Sequence, residues 1–314
     1  MQKIIVIGAG KRVQADVLPA LHASGVFEVA GIYATSAREI VVGGTSMSIR
    51  PLASLTAGDL RRVSWLYLAV PPRTTPDVLE LLAKLSVNDI NLIIDTPVLL
   101  WRQRGAKKHF NKFKRVVVAE DIIHLPWIDT VKEMLGHKIT EMIFNQSAYR
   151  YHGIALIKEL WAVKTFKSVR LTRDKHTSIV LKNNFNHLAR IVEPKDYNVG
   201  QMTFVGPLGL ITDSGDQKNM KPVIQDGALV GIDVLGSTIT FSMEERELIG
   251  KVTTQSTVTS LTPELKRVGL ARMFSKLGQG LKVGKDIDDA LSDTRLDEFV
   301  HKFGKWINVA SFGM

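Results

Sequence analysis

The stretch Lys3–Leu21, KIIVIGAGKRVQADVLPAL, decides the architecture. Lys3 to Gly8 is a short apolar run ended by glycine, the signature of a strand buried in a parallel sheet. Gly8-Ala9-Gly10 follows directly. Ala15 to Ser24 then has helical spacing, with Val17, Leu18 and Leu21 on one face. In a strand–glycine turn–helix unit the first glycine permits the tight turn. The second lets backbone approach a pyrophosphate held at the helix N-terminus. Lys11 and Arg12 follow the glycines directly and belong to the same candidate dinucleotide loop. The third position of the fingerprint, where glycine allows close helix–strand packing, is Val13.

Outward from the loop, strands and helices alternate. Phe27–Tyr33, Trp65–Val70, Asn91–Ile94 and Arg115–Ala119 read as strands. Pro71-Pro72 closes the second of these and Pro97 stops the third. Pro76–Leu85 has helical spacing with proline in its first turn, and a further helix is expected between Pro97 and Arg115. Such alternation builds a doubly wound α/β domain with a parallel sheet. The pattern changes near Pro126. Residues 126–136 and 153–161 look helical and 139–147 look like a strand. From about 166 to 255 the text is mostly strand and turn, with a hairpin expected at Leu235-Gly236-Ser237. Helices are expected at 263–277 and 286–307. The reading is therefore a Rossmann domain over residues 1–122 and an α+β domain over 123–314 with a predominantly antiparallel mixed sheet. An exposed mixed sheet favours a homodimer or homotetramer that buries one face.

Composition agrees with a globular chain. Of 314 residues, 45% are hydrophobic and 23% charged, and there is no cysteine, which excludes thiol chemistry and zinc–thiolate sites. No run approaches the roughly 18 apolar residues of a membrane span. The N-terminus shows no apolar leader, so a cytoplasmic location is expected. The formal net charge of +10 raises the question of nucleic acid. The densest basic stretch, Trp101–Arg115, lacks any helix-turn-helix, finger or aromatic-platform pattern. We read it as a solvated helix face with Phe110 and Phe113 turned inward, and expect no nucleic-acid partner. The histidines fall in no ligand spacing, so no metal is expected.

The end of the second strand sets the choice between NAD and NADP. NAD sites carry an acid there for the adenosine ribose. Here Thr35-Ser36-Ala37-Arg38 intervenes before the first carboxylate, Glu39. Hydroxyls and a guanidinium suit a 2′-phosphate, so NADP is expected, with NAD possible.

Several motifs now stand in order: GAGKRVQADVLPAL, FEVAGIYATSAREI, YLAVPPRTT, IIDTP, VVVAEDIIHLP and YHGIALIKEL. Together they resemble the glucose–fructose oxidoreductase/inositol dehydrogenase (Gfo/Idh/MocA) family, by motif over about residues 3–161 and by general pattern beyond. The resemblance implies hydride transfer between a nicotinamide dinucleotide and a small molecule: a sugar, sugar nucleotide or cyclitol. Pro71, Pro72 and Arg73 match the loop beside the nicotinamide ribose, with Thr75 where that loop usually has histidine. Asp95-Thr96-Pro97 matches the Glu-Lys-Pro motif, so Thr96 replaces its lysine. Glu120 and Asp121 match the segment below the nicotinamide. His152 matches the histidine facing the substrate, and Ala155 stands where an acid is usual.

Reduction of a ketone or imine needs a proton donor as hydride arrives. A threonine hydroxyl is a poor acid. Histidine exchanges protons near neutrality, and a phenol can donate. The candidate catalytic set is therefore His152, Tyr149, Tyr151, Asp121 and Thr96, with His124 as a partner for Asp121. An imine substrate would ask less of the lost amine. The alternative reading is a pseudoenzyme of the same fold, acting as a nucleotide sensor or complex partner.

Overall fold

A computed structural model describes residues 1–173 and 175–303, together with the backbone of 309–313. The chain divides into two compact units: residues 1–121 with 270–295, and residues 122–269 with 296–314.

The first unit is built on strands β1 (Gln2–Ile7), β2 (Phe27–Ala34), β3 (Arg38–Val42), β4 (Thr45–Pro51), β5 (Trp65–Leu68), β6 (Asn91–Asp95) and β7 (Arg115–Ala119). Their order is β3-β4-β2-β1-β5-β6-β7, and every pairing except β3/β4 is parallel. The central strands are apolar because both faces are covered: Ile4–Ile7, Trp65–Leu68 and Leu92–Ile94 are all buried. Strand order reverses at β1/β5, so the glycine loop after β1 lies at the topological switch point, where such sheets bind ligands.

Three features of this unit depart from the sequence reading. Arg38, where the sequence reading expects no element, begins a β3/β4 hairpin turned at Gly43-Gly44, both with positive φ. Mostly exposed side chains on β3 leave no apolar alternation to announce it. Residues Trp101–Lys112 form 3-10 turns, not an α-helix, although Phe110 and Phe113 are buried as expected. Residues 270–295, expected in the second domain, group with the first unit. Their anchor is Phe274, which meets the rings of Phe27 and Tyr67 edge-on at 5.8 and 5.9 Å.

The second unit carries β8 (Glu141–Asn145), β9 (Ser168–Arg173), β10 (Thr177–Lys182), β11 (Leu188–Glu193), β12 (Gln201–Gly206) and β13 (Gly209–Thr212). A meander follows, β14 (Met220–Gln225), β15 (Ala228–Val234) and β16 (Ser237–Thr240), and then β17 (Val309–Gly313). The seven-stranded sheet has the order β13-β12-β8-β11-β10-β9-β17, antiparallel except for β8/β11, while β14-β15-β16 form a separate antiparallel sheet. Leu235 and Gly236, both at positive φ, make the expected turn between β15 and β16.

One face of the large sheet is buried, with the helix Arg150–Trp161 packed against β11. Gly153 makes that approach possible, because a Cβ there would lie 2.8 Å from Cδ1 of Ile191. The other face holds an open groove of about 610 Å³, lined among others by Asn145, Thr172, Ser178, Arg190, Gln201 and Thr203. The closing helices run Thr262–Gly278 and Ile287–Phe303. The last turn expected for the second, 304–307, lies outside the described residues.

Candidate functional site

Each unit carries its own cluster. In the first, Gly8 adopts a φ of +120°, and a Cβ on it would fall on the carbonyl oxygen of Ala69. That position accepts only glycine. A Cβ on Gly10 would meet nothing within 4 Å, so this side of the loop faces open space. The helix begins at Lys11, and Gln14 N–H donates to the Gly10 carbonyl at 3.2 Å. The N–H groups of its first turn have no carbonyl four residues earlier within the helix, and a phosphate suits them. The loop therefore fits a pyrophosphate. Val13 is fully buried, and the helix runs as a wider π turn over Val13–Val17, which accommodates a side chain where close packing would require glycine.

Arg12 is turned away from the loop into carboxylates. It pairs with Asp121 at 2.6 Å, Asp16 at 3.1 Å and Asp95 at 3.3 Å. Burial works against its charge, but Asp95, Asp121, Tyr67 and Asp16 more than offset this and hold the guanidinium protonated beyond its usual range. Asp95, at the end of β6, also accepts from the Tyr67 hydroxyl at 3.3 Å. Burial raises the Asp95 carboxyl above its ordinary value, although Arg12 and the Thr96 N–H pull it down. Burial first, and Asp95 next, push the Tyr67 phenol well up. Thr96 is half-buried and joined to the exposed Pro97 by a cis bond. Glu120 and Asp121 directly follow β7 and are 0% and 2% exposed.

At the far end of the loop, Thr35, Ser36 and Arg38 are exposed. Arg38 reaches back to donate to the Ala9 carbonyl at 2.9 Å, and the Gln14 amide donates to the same oxygen at 2.8 Å. Glu39 faces the other way, accepting from the hydroxyls of Ser46 and Ser48 at 2.9 and 2.6 Å. A cation, not a carboxylate, thus attends the loop. Pro71, Pro72 and Arg73 form the turn after β5, with Thr74 N–H donating to Pro71. Thr75 is buried and its hydroxyl donates to the Pro71 carbonyl at 3.4 Å, a structural use of that position.

In the second unit, Tyr149 caps the helix Arg150–Trp161 in extended conformation, and its carbonyl accepts from Gly153 N–H at 2.7 Å. Its ring is 56% exposed and lies 6.2 Å from that of His152. Tyr151, 8% exposed, meets the His152 ring edge-on at 5.6 Å. Ala155 is buried in the core, so no acid–base group stands at that position. Two lysines complete the cluster, neither singled out from the sequence. Lys266 Nζ lies 3.2 Å from His152 Nε2. Lys195 Nζ sits over the rings of Tyr149 and Tyr197, at 4.4 and 4.1 Å. Lys266 lies within the helix Thr262–Gly278 and Lys195 in a loop, and no local pattern marks either one. His124 ends the 3-10 turn that Asp121 begins, and the Asp121 carboxylate is committed to Arg12.

The basic stretch also finds partners within the first unit. Lys107 pairs with Asp288, and Arg104 and Arg295 lie over Trp101 at 4.9 and 5.0 Å.

No family model and no curated protein matches this sequence. Solved structures match over their full length. A myo-inositol dehydrogenase from Corynebacterium glutamicum ATCC 13032 aligns with a TM-score of 0.65 at 10% identity, covering 100% of this chain and 99% of that one. The fold is that of the inositol dehydrogenases. An inositol dehydrogenase homolog from Azotobacter vinelandii, complexed with NADH and myo-inositol, has the same fold at TM-score 0.62 and 10% identity, covering 100% and 97%. So does GenD2 of gentamicin A biosynthesis, in complex with NAD, at 0.61 and 13%, covering 100% and 97%. At these identities the likeness is one of fold, and it matches the Gfo/Idh/MocA architecture that the motifs imply.

Proposed function

We propose that the chain is an oxidoreductase that binds NADP through its first unit. Its substrate is a small carbonyl, polyhydroxy or imine compound. The single observation carrying this reading is the glycine loop: Gly8 fits no other residue, Gly10 faces open space, and Arg38 rather than Glu39 attends the loop. When bound, the dinucleotide supplies or accepts the hydride. Gly8, Gly10, Lys11 and Val13 would hold its pyrophosphate through the backbone, and Thr35, Ser36 and Arg38 its 2′-phosphate. Pro71, Pro72, Arg73, Asp95, Thr96, Pro97 and Glu120 would line the nicotinamide end. Arg12 fixes the carboxylates of Asp95 and Asp121 there. Tyr149, Tyr151 and His152 would serve the substrate. The neighbours bound to NAD, NADH and myo-inositol support a nicotinamide dinucleotide and a small substrate of this class.

Titration of the purified chain with NADPH and NADH, followed by nicotinamide fluorescence, tests the reading. We expect binding of both, with NADPH the tighter. Binding of neither contradicts an oxidoreductase, and NADH binding at least as tight contradicts the NADP preference. A panel of ketosugars, inososes and cyclic imines then identifies the substrate class.

We further propose a homodimer or homotetramer through the open face of the large sheet. That face carries the exposed Arg190 and Gln201 among half-buried Asn145, Thr172 and Thr203, and Arg190 donates to the buried Ser178 hydroxyl at 3.0 Å. Light scattering on the chain and on an Arg190→Glu variant checks this, with dissociation of the variant expected.

A further inference from the structure

The amine absent at position 96 has a counterpart in the second unit. We propose that Lys266 is the catalytic proton donor and that His152 positions it. This inference rests on the oxidoreductase reading above. It assigns the acid role to the lysine, although sequence reasoning alone would give it to His152.

With the lysine carried as an ammonium, as we propose, the pair has one consistent protonation pattern. Lys266 Nζ and His152 Nε2 are 3.2 Å apart. An ammonium has three donors and no acceptor, so Nε2 must accept, and the imidazole is neutral with its proton on Nδ1. While the pair stands, Nε2 has no proton to give. The ammonium is the acid, and the histidine fixes one of its three N–H directions. Both partners come from packed elements. Gly153 seats the histidine's helix against Ile191, and Leu265 and Val268 bury the lysine's helix on either side of it. Tyr151 backs the imidazole edge-on. Both side chains are nonetheless half-buried and not sealed, as proton delivery to a substrate requires.

The step balances simply. For each hydride reaching a carbonyl carbon, the π pair of the C=O bond moves to oxygen. One N–H bond of Lys266 breaks, an O–H bond forms, and a neutral amine remains. A proton from solvent restores the ammonium. In the oxidising direction the amine takes the hydroxyl proton.

The test uses the full chain with 15N-labelled histidine, the His152 signals being assigned by their loss in His152→Gln. In the unaltered chain we expect the Nδ1–H tautomer, with Nε2 as acceptor. Lys266→Met should shift the population toward Nε2–H while leaving NADPH affinity, read by fluorescence, within about threefold. It should also slow NADPH oxidation on the ketosugar and imine panel by about 100-fold or more, the usual worth of a positioned acid. Lys266→Arg keeps the charge and the hydrogen bond but does not surrender a proton. It should therefore preserve the tautomer without restoring the rate. A His152 spectrum indifferent to Lys266→Met overturns the pair. Full turnover in either lysine variant overturns the proton role. Absence of NADPH binding by the unaltered chain overturns the oxidoreductase reading itself, and the lysine's role with it.

Discussion

The two units handle charge in opposite ways. In the first, one guanidinium is locked among three carboxylates, Asp16, Asp95 and Asp121. In the second, the Lys266 amine meets the His152 imidazole, and the Lys195 amine lies over two phenol rings. An arginine so held neither gives nor takes a proton at any working pH. Its use is to fix the two acids at the ends of β6 and β7. An amine beside an imidazole is proton-exchanging chemistry. On the proposed reading, nucleotide positioning falls to the first unit and proton transfer to the second.

Four expectations sharpen or break the contrast. The largest concerns the ionic knot. Arg12→Met leaves Asp95 and the buried Asp121 without their shared cation, and should cost about 3–5 kcal/mol of stability by chemical denaturation. A loss under ~1 kcal/mol would mean that the knot is solvated and idle. Next, Arg38→Ala should weaken NADPH by about tenfold or more while sparing NADH, since a charged hydrogen bond contributes about 1.5–3 kcal/mol. Equal loss for both nucleotides would show that Arg38 only braces Ala9. Third, Gly153→Ala pushes a methyl toward Ile191 Cδ1, a flexible side-chain end, and should cost about 1–3 kcal/mol. Because it also displaces the helix bearing His152, it should alter the His152 nitrogen shifts and leave NADPH binding intact.

The smallest effect concerns a buried carboxylate held by backbone instead of by charge. Asp213 accepts from Met202 N–H at 2.9 Å and Thr259 N–H at 2.7 Å. Burial nevertheless lifts its carboxyl above the ordinary value. The folded state therefore holds this proton more tightly than the unfolded one. Its contribution is full below about pH 4, the unfolded value, and is lost as pH rises through the raised folded value. The stability advantage of the unaltered chain over Asp213→Asn should accordingly shrink with rising pH in that window, by at most about 1.4 kcal/mol per pH unit. Growth of the advantage with pH would mean that the backbone donors dominate.

What the sequence revealed, and what it did not, follows the range of the physics involved. The glycine loop, the parallel strands and the Leu235-Gly236 turn are local, written in aliphatic runs and in backbone positions that only small residues tolerate. The Gly43-Gly44 hairpin is not legible because β3 is mostly exposed and carries no apolar alternation of its own. The helix after Pro97 became 3-10 turns, since only Phe110 and Phe113 needed burying. Phe274 reaches Phe27 across 247 positions of chain, and no periodicity within a helix says which sheet its aromatic will meet. The same holds for the candidate site. His152 was visible through YHGIALIKEL, but Lys266 lies 114 residues away and joins it only through folding. Arg12 reads as part of a phosphate loop, while two of its carboxylate partners, Asp95 and Asp121, come from the ends of separate strands.

The most direct test of the nucleotide-binding claim is chemical-shift mapping of the backbone amides as NADPH is added to the 15N-labelled chain. The account predicts the first and largest shifts at Gly8–Val13 and Thr35–Arg38. Shifts confined to the groove lined by Asn145, Ser178 and Arg190, or none at all, would contradict it.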